Sequence, residues 1–215
     1  PELKSAYDVD LRSFSEYRIQ FGAQFSASGL AFSGDGKGAK VVSIDSSAKF
    51  VNDEEAIKRI VVESVDDDFW IDIVGANVFD RQPYHCRLYM FHLGLHEHQW
   101  IHASLLKPYE YRPELREKLI LPALHRDLID ILTTDMDVMA ADIIDGKTGG
   151  TTILCMGKPG LGKTLTAEVY SEVVGRPLYR VHSGQLGTDA ASVESALGTI
   201  LKRAARWGAV LLLDE

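Results

Sequence analysis

The sequence predicts an α/β fold in which a parallel sheet is flanked by helices, preceded by a separate α+β domain. The prediction depends on two stretches in the C-terminal half. An apolar, β-branched run over 151–156 leads into a glycine-rich loop, and a helical pattern follows that stops at Gly175. A second apolar run, over 209–213, ends in two adjacent carboxylates. Strand, glycine loop, helix and a further strand are therefore expected in that order.

The glycine loop, residues 157–164, reads GKPGLGKT and matches the phosphate-loop pattern G-x-x-x-x-G-K-[ST] at each specified position. Glycines in such a loop let the backbone curl until successive N–H groups point at phosphate oxygens. We expect Lys163 to reach the β- and γ-phosphates of a nucleotide and the Thr164 hydroxyl to ligate Mg²⁺. Because 151–156 is predicted to be a buried parallel strand and 164–174 a helix, phosphate is expected at a helix N-terminus.

The acidic end of the second run reads LLLDE, with Asp214 followed by Glu215. In a phosphate-loop enzyme the first acid holds the Mg²⁺ shell and the second activates the attacking water. The pattern alone is weak, because any buried strand followed by acids gives it. Its position favours the catalytic interpretation, since one strand over 177–182 and one helix, capped at Thr188 or Asp189, are predicted in between.

Composition limits the classes of protein that the chain can represent. Its 215 residues, 46% of them hydrophobic, suit one large domain or two small ones. The net charge is −8 and neither half is basic, which argues against a broad nucleic-acid surface. Cys86 and Cys155 lie far apart, with Cys155 in a predicted core strand, which indicates a reducing, cytoplasmic compartment. No apolar run approaches the ~20 residues that a bilayer requires, so no membrane partner is expected.

The N-terminal half gives a less regular pattern. Residues 7–32 contain aromatic side chains without a clean period, and 41–44 is a predicted strand. Asn52 is a good helix N-cap, with Glu55 in capping-box position and acidic neighbours that favour the helix dipole. We expect that helix to reach about residue 63. The remaining predicted elements are a strand over 69–74 and a hairpin of 86–93 and 98–106 around Gly94.

Five of the seven histidines fall in or beside the predicted hairpin: His85, His92, His96, His98 and His102. Their spacing raises the possibility of a zinc site, because strand alternation places His96 and His98 on one face. No known zinc-binding spacing is matched, however, and only one cysteine is near. We therefore expect a polar, partly exposed sheet face and no metal.

Two prolines in the polar stretch 107–113 mark the predicted domain boundary. The boundary gives an N-terminal α+β domain over 1–110 and a second domain over 111–215. A helix is predicted to open near Glu114, to break or kink at Pro122 and to continue to about Leu132. A short helix over 136–144 then precedes the glycine loop.

From about residue 114 onward, the order of these parts resembles the AAA+ ATPase family. GKPGLGKT resembles its Walker A motif and LLLDE its Walker B motif. The resemblance implies that Lys163 contacts the γ-phosphate of ATP. It implies that Thr164 and Asp214 organise Mg²⁺ and that Glu215 polarises the attacking water. The nucleotide-binding residues that follow from it are Gly157, Pro159, Gly160, Leu161, Gly162, Lys163, Thr164 and Leu165.

The resemblance has further implications for the whole protein. It places residues 142–144 near the adenine, and it implies assembly into a homo-oligomeric ring. The family's sensor residue, arginine finger and helical lid follow the second acid, so we expect the functional protein to be longer than this chain. Residues 1–110 resemble no family in particular, and such a position usually holds a domain that recruits a protein partner or substrate.

Two functions from different classes are consistent with these residues. The favoured one is an oligomeric ATPase that couples ATP hydrolysis to remodelling of a macromolecular partner. The alternative is a nucleotide-dependent assembly switch or binding module with little turnover. Glu215 favours the ATPase, because a protein that only binds nucleotide has no need of a water-activating acid.

Overall fold

The computed structural model describes four stretches of the chain: 2–34, 39–56, 86–134 and 152–214. The chain divides into two compact units: unit 1 is Pro1–Tyr109 with Gly198–Ala209, and unit 2 is Glu110–Leu197 with Val210–Glu215. Each unit contains its own hydrophobic cluster. The assignment of 1–110 and 111–215 as a recruiting domain and an ATPase core stays a prediction.

The described part of unit 1 contains an antiparallel sheet and the long helix α1 (Glu2–Arg18). Among the described residues its strands are β1 (Gln24–Ala27), β2 (Gly29–Ser33), β3 (Lys40–Ile44), β4 (Lys49–Asn52), β5 (Arg87–His92), β6 (Glu97–His102) and β7 (Leu106–Pro108). They lie in the order β3-β2-β6-β5-β4-β1-β7, and a 3₁₀ turn, Ala103–Leu105, joins β6 to β7. The predicted strand over 41–44 and the predicted hairpin are confirmed.

The core of unit 1 lies between α1 and one face of this sheet. Helix α1 contributes Phe14, and the central strands contribute side chains with no exposed surface: Phe25, Phe50, Leu88, Met90 and Ile101. Successive residues of a strand point to opposite faces, so Met90 faces α1 while its neighbour Phe91 faces the other way. The ring of Phe91 is also fully buried, and its centroid lies 4.8 Å from that of Trp207.

Unit 2 contains the elements that the glycine loop was predicted to join. Its helices and strands are α2 (Ala123–Thr134), α3 (Lys163–Val174), β8 (Leu178–His182), α4 (Ala190–Trp207, whose last part belongs to unit 1) and β9 (Val210–Asp214). The 3₁₀ turns Pro113–Lys118 and Ser183–Gln185 precede α2 and follow β8. Strands β8 and β9 pair in parallel, with Leu178 opposite Val210 and His182 opposite Asp214. The predictions for α3, β8, α4 and β9 are confirmed, and α2 begins just after Pro122.

The core of unit 2 connects the segment around α2 to the phosphate-loop helix. Leu119, Val169 and Tyr170 are buried together, and partly buried side chains of the 3₁₀ turn and α2 pack against them. The Tyr170 hydroxyl donates to the Asp130 carboxylate at 2.9 Å, and Arg116 forms an ion pair with the same carboxylate. These contacts hold α3 against α2 and the 3₁₀ turn that precedes it.

The prediction of a buried parallel strand over 151–156 is wrong. Residues 152–158 form no strand, Leu154 and Met156 are 82% and 84% exposed, and Cys155 is exposed instead of lying in a core strand. The physical reason is the lack of a neighbour: in the described part of the chain, β8 and β9 pair with each other and not with this segment. A parallel sheet wider than β8 and β9 stays a prediction.

Several expected elements lie outside the described residues. These are the helix beyond residue 56, the strand over 69–74 and the helix over 136–144. No helix of the described stretches is both long and apolar enough to cross a membrane.

Candidate nucleotide-binding site

The backbone of the glycine loop turns sharply where the sequence requires glycine. Gly160 and Gly162 have φ angles of 80° and 79°, in the left-handed region that side chains with a Cβ rarely adopt. A Cβ at either position would meet nothing within 4 Å. Glycine is therefore required by the backbone conformation and not by a lack of space. Helix α3 begins directly after this turn, at Lys163, and Gly162 is its N-cap. The N–H groups of its first turn are therefore available to an anion.

The Lys163 side chain folds back over the loop. Its Nζ donates hydrogen bonds to the carbonyl oxygens of Gly157, at 2.9 Å, and Lys158, at 3.1 Å. An ammonium group has three donors and can exchange such partners for phosphate oxygens, with which it forms charge-assisted bonds. The lysine is thus held on the loop where the phosphate-loop pattern requires it.

The Thr164 hydroxyl faces the acid at the end of β9. Thr164 Oγ1 lies 3.5 Å from Asp214 Oδ1 and 3.4 Å from Oδ2. Hydroxyl and carboxylate oxygens are hard donors, the type that Mg²⁺ prefers. These two residues therefore fit the cation that the loop pattern predicts. They come from elements 50 residues apart in sequence.

The strand pairing explains how Asp214 reaches the loop. Asp214 is the last residue of β9 and lies opposite His182, the last residue of β8, so both are at the carboxyl edge of the parallel pair. Ligands of parallel α/β sheets bind outside this edge. Tyr179 and Val181 of β8 are almost completely buried and fix the strand's orientation. Alternation along β8 then turns Arg180 to the opposite side.

Arg180 is a site residue that the sequence analysis missed. Its Nη2 lies 2.6 Å from Asp214 Oδ2, and its Nη1 lies 3.8 Å from Glu168 Oε1 on α3. A signal was present in the sequence, because an arginine interrupts an otherwise apolar strand, between Tyr179 and Val181. The pattern did not show which carboxylate the arginine meets.

Other residues predicted to bind nucleotide lie in the loop or next to it. Pro159, Leu161 and Leu165 are exposed, and Gly157 belongs to the exposed start of the loop. Their contacts with a nucleotide stay predictions. Glu215, the predicted water-activating acid, and residues 142–144, expected near the adenine, lie outside the described residues.

His92 and His98 of unit 1 have different hydrogen-bond partners. His92 Nδ1 accepts hydrogen bonds from the backbone of Gly94 and Leu95, and His98 Nε2 lies 2.7 Å from Asp53 Oδ2. His96 has a φ of 57° and belongs to the hairpin turn, not to the strand that was expected to align it with His98. In the described stretches no three metal-ligating side chains group together, and His85 lies outside them. The expected absence of metal stays a prediction.

Comparison with known proteins assigns the part of the chain that carries this site. Residues 153–215 match the profile of the ATPase family associated with various cellular activities (AAA). Residues 153–215 belong to the AAA+ ATPase family. The resemblance to this family is thereby confirmed for residues 153–215, and the AAA match implies a phosphate-loop nucleotide-binding fold.

Two curated relatives of this chain are Lon proteases. The Lon protease of Magnetococcus marinus is 33% identical over 75 residues, which cover 35% of the chain and 9% of that protein. Lon protease 4 of Sorangium cellulosum is 28% identical over 132 residues, covering 54% of the chain and 16% of that protein. The chain thus spans less than a fifth of either relative. No solved structure matches it.

Proposed function

We propose that this chain is part of an ATPase that binds and hydrolyses ATP with Mg²⁺ and couples hydrolysis to remodelling of a macromolecular partner. The observation that supports this function best is the meeting of Thr164 and Asp214 at 3.4–3.5 Å. The two residues come from the two motifs that AAA+ ATPases use for Mg²⁺–ATP, and the fold brings them together beside the lysine of the first motif. A phosphate loop without this acid would support nucleotide binding alone.

Each residue of the proposed site has a distinct task. Lys163 exchanges the carbonyl oxygens of the loop for the γ-phosphate, while the N–H groups at the start of α3 bind the other phosphates. Thr164 and Asp214 would hold Mg²⁺, which would supply positive charge beside the phosphates. Glu215 accepts the proton of the attacking water, because its carboxylate follows the Mg²⁺-binding acid directly.

We also propose the setting in which the site works. The complete protein forms a homo-oligomeric ring in the cytoplasm, and residues 1–110 recruit its partner. A protein partner fits better than a nucleic acid, because the chain carries a net charge of −8 and the relatives are proteases by name. No membrane partner is proposed.

Replacing the proposed catalytic acid tests hydrolysis separately from binding. In the complete protein, Glu215→Gln should keep ATP affinity and lower steady-state phosphate release by about 10²–10⁴-fold, because the amide cannot accept a proton. The matched control is Glu117→Gln, which makes the same change at an exposed position. Phosphate release at the parent rate in Glu215→Gln would contradict the assignment. An absence of turnover in the parent, with ATP still bound, would favour the assembly switch.

A further inference from the structure

Arg180 forms a close ion pair with the Asp214 carboxylate. Its Nη2 lies 2.6 Å from Oδ2, closer than the Thr164 hydroxyl at 3.4 Å. The Arg180 side chain is 41% exposed and that of Asp214 22% exposed, so water reaches both. The Arg180 Nε atom is buried and has no hydrogen-bond partner in the described part of the chain. The guanidinium therefore contacts Asp214 through Nη2 and not through Nε.

Glu168 offers the same guanidinium a second acidic partner. It lies one turn after Thr164 on α3, on the same side of the helix. Its Oε1 is 3.8 Å from Arg180 Nη1, too far for a hydrogen bond but close enough for an ion pair. Arg180 thus stands between a carboxylate that it binds closely and another that it can reach by a small movement.

We propose that Arg180 neutralises Asp214 when the site holds no nucleotide and pairs with Glu168 when Mg²⁺–ATP is bound. Arg180 thereby determines the Mg²⁺ concentration that is required for nucleotide binding. The inference rests on the proposed function, because it takes Asp214 to be the residue that holds Mg²⁺. It assigns Arg180 as a positioning residue for that acid and Glu168 as the second partner of Arg180.

Electrostatics gives the direction of the effect. An oxygen of Asp214 that is bonded to a guanidinium is not free to interact with a cation, and the guanidinium charge repels Mg²⁺ at short range. An ion pair this exposed is weak, so Mg²⁺–ATP can displace it. Glu168 lowers the cost of the displacement, because it keeps the released guanidinium partnered.

The test is a Mg²⁺ titration of the binding of a fluorescent ATP analogue, at fixed protein and analogue concentrations. Arg180→Met removes the charge and keeps most of the side-chain length, and it should lower the half-saturating Mg²⁺ concentration about fivefold. Glu168→Gln removes the second partner and should raise that concentration. Arg12→Met, at an exposed position of α1, is the matched control and should leave it unchanged.

The outcomes separate this inference from the proposed function. If the parent binds the analogue and Arg180→Met needs as much Mg²⁺ as the parent, or more, the inference is wrong and the proposed function stands. If the parent binds no analogue at any Mg²⁺ concentration, the proposed function fails and the inference with it. Should Arg180→Met not fold, as judged by circular dichroism, Glu168→Gln decides alone, and an unchanged or lower Mg²⁺ requirement overturns the inference.

Discussion

At the scale of single residues, Asp53 shows how a buried charge is stabilised outside the nucleotide site. The Asp53 side chain is fully buried, and its carboxylate accepts hydrogen bonds from Arg206, at 2.5 Å, and Trp207, at 2.8 Å. His98 Nε2 lies 2.7 Å from its other oxygen. Burial alone would raise the pKa of the Asp53 carboxyl. The hydrogen bonds of His98 and Trp207 and the charge of Arg206 outweigh burial, so this pKa lies below its ordinary value.

Replacing Asp53 should therefore destabilise unit 1. Asp53→Asn leaves the charge of Arg206, which is only 18% exposed, without its carboxylate, and should cost on the order of 2–4 kcal/mol of unfolding free energy. Urea denaturation followed by tryptophan fluorescence measures the change. The control Glu16→Gln, at an exposed position of α1, should change stability by no more than about 0.5 kcal/mol. A cost for Asp53→Asn as small as that of the control would contradict this account of Asp53.

The same carboxylate predicts a pH dependence. Its pKa is lower in the folded protein than in the unfolded chain, so its contribution is complete above the ordinary aspartate pKa of about 3.9. The contribution is lost as pH falls through the lower, folded-state pKa. The difference in unfolding free energy between the parent and Asp53→Asn should therefore shrink below about pH 3.9. A difference that stayed constant or grew on acidification would show that the folded-state pKa is not depressed.

At the scale of elements, the phosphate-loop helix α3 is bounded by glycines at both ends. Gly162 is its N-cap, and Gly175 is its C-cap with a φ of 65°, in the left-handed region. A Cβ at Gly175 would approach Tyr111 to 3.9 Å, an ordinary contact. The need for glycine there is therefore a matter of backbone conformation.

Two substitutions of the same kind should have opposite effects. Gly175→Ala should lower the unfolding free energy by about 1 kcal/mol, because alanine disfavours a positive φ. Gly198→Ala should raise it by about 0.5–1 kcal/mol, because Gly198 lies inside α4, and a Cβ there would meet nothing within 4 Å. Thermal unfolding of both variants beside the parent measures the two shifts. Equal shifts in the same direction would contradict the assignment of Gly175 as a left-handed cap.

Elements with strong local signals were predictable from sequence. Helix α3 runs from the loop to Gly175 as expected, and Asp189 caps α4, where its carboxylate accepts a hydrogen bond from the Ser192 backbone at 3.0 Å. Helix α1 was not predicted, because residues 7–32 carry aromatic side chains without a helical period. The strand over 151–156 was predicted wrongly, because an apolar run indicates burial only where a neighbouring strand is present to cover it.

At the scale of the whole molecule, the sequence motifs predicted the chemistry of the site more reliably than they predicted which side chains contact one another. The pairing of Thr164 with Asp214 follows from motif order, and the structure brings the two residues together. The partners of Asp53 were not predictable, because Arg206 and Trp207 lie more than 150 residues away in sequence. Arg180 was missed for a similar reason, since a strand pattern gives the face of a side chain and not the residue that it meets.

The central claim is that this chain binds ATP through the lysine of its phosphate loop. Titration with a fluorescent ATP analogue in the presence of Mg²⁺ tests that claim most directly. The parent should bind saturably. Lys163→Ala should bind at least about 10-fold more weakly, because it loses a charge-assisted contact to phosphate. Lys118→Ala, which removes an exposed lysine elsewhere in unit 2, should bind like the parent. Equal affinities of the parent and a folded Lys163→Ala variant, or no binding by the parent, would contradict the claim.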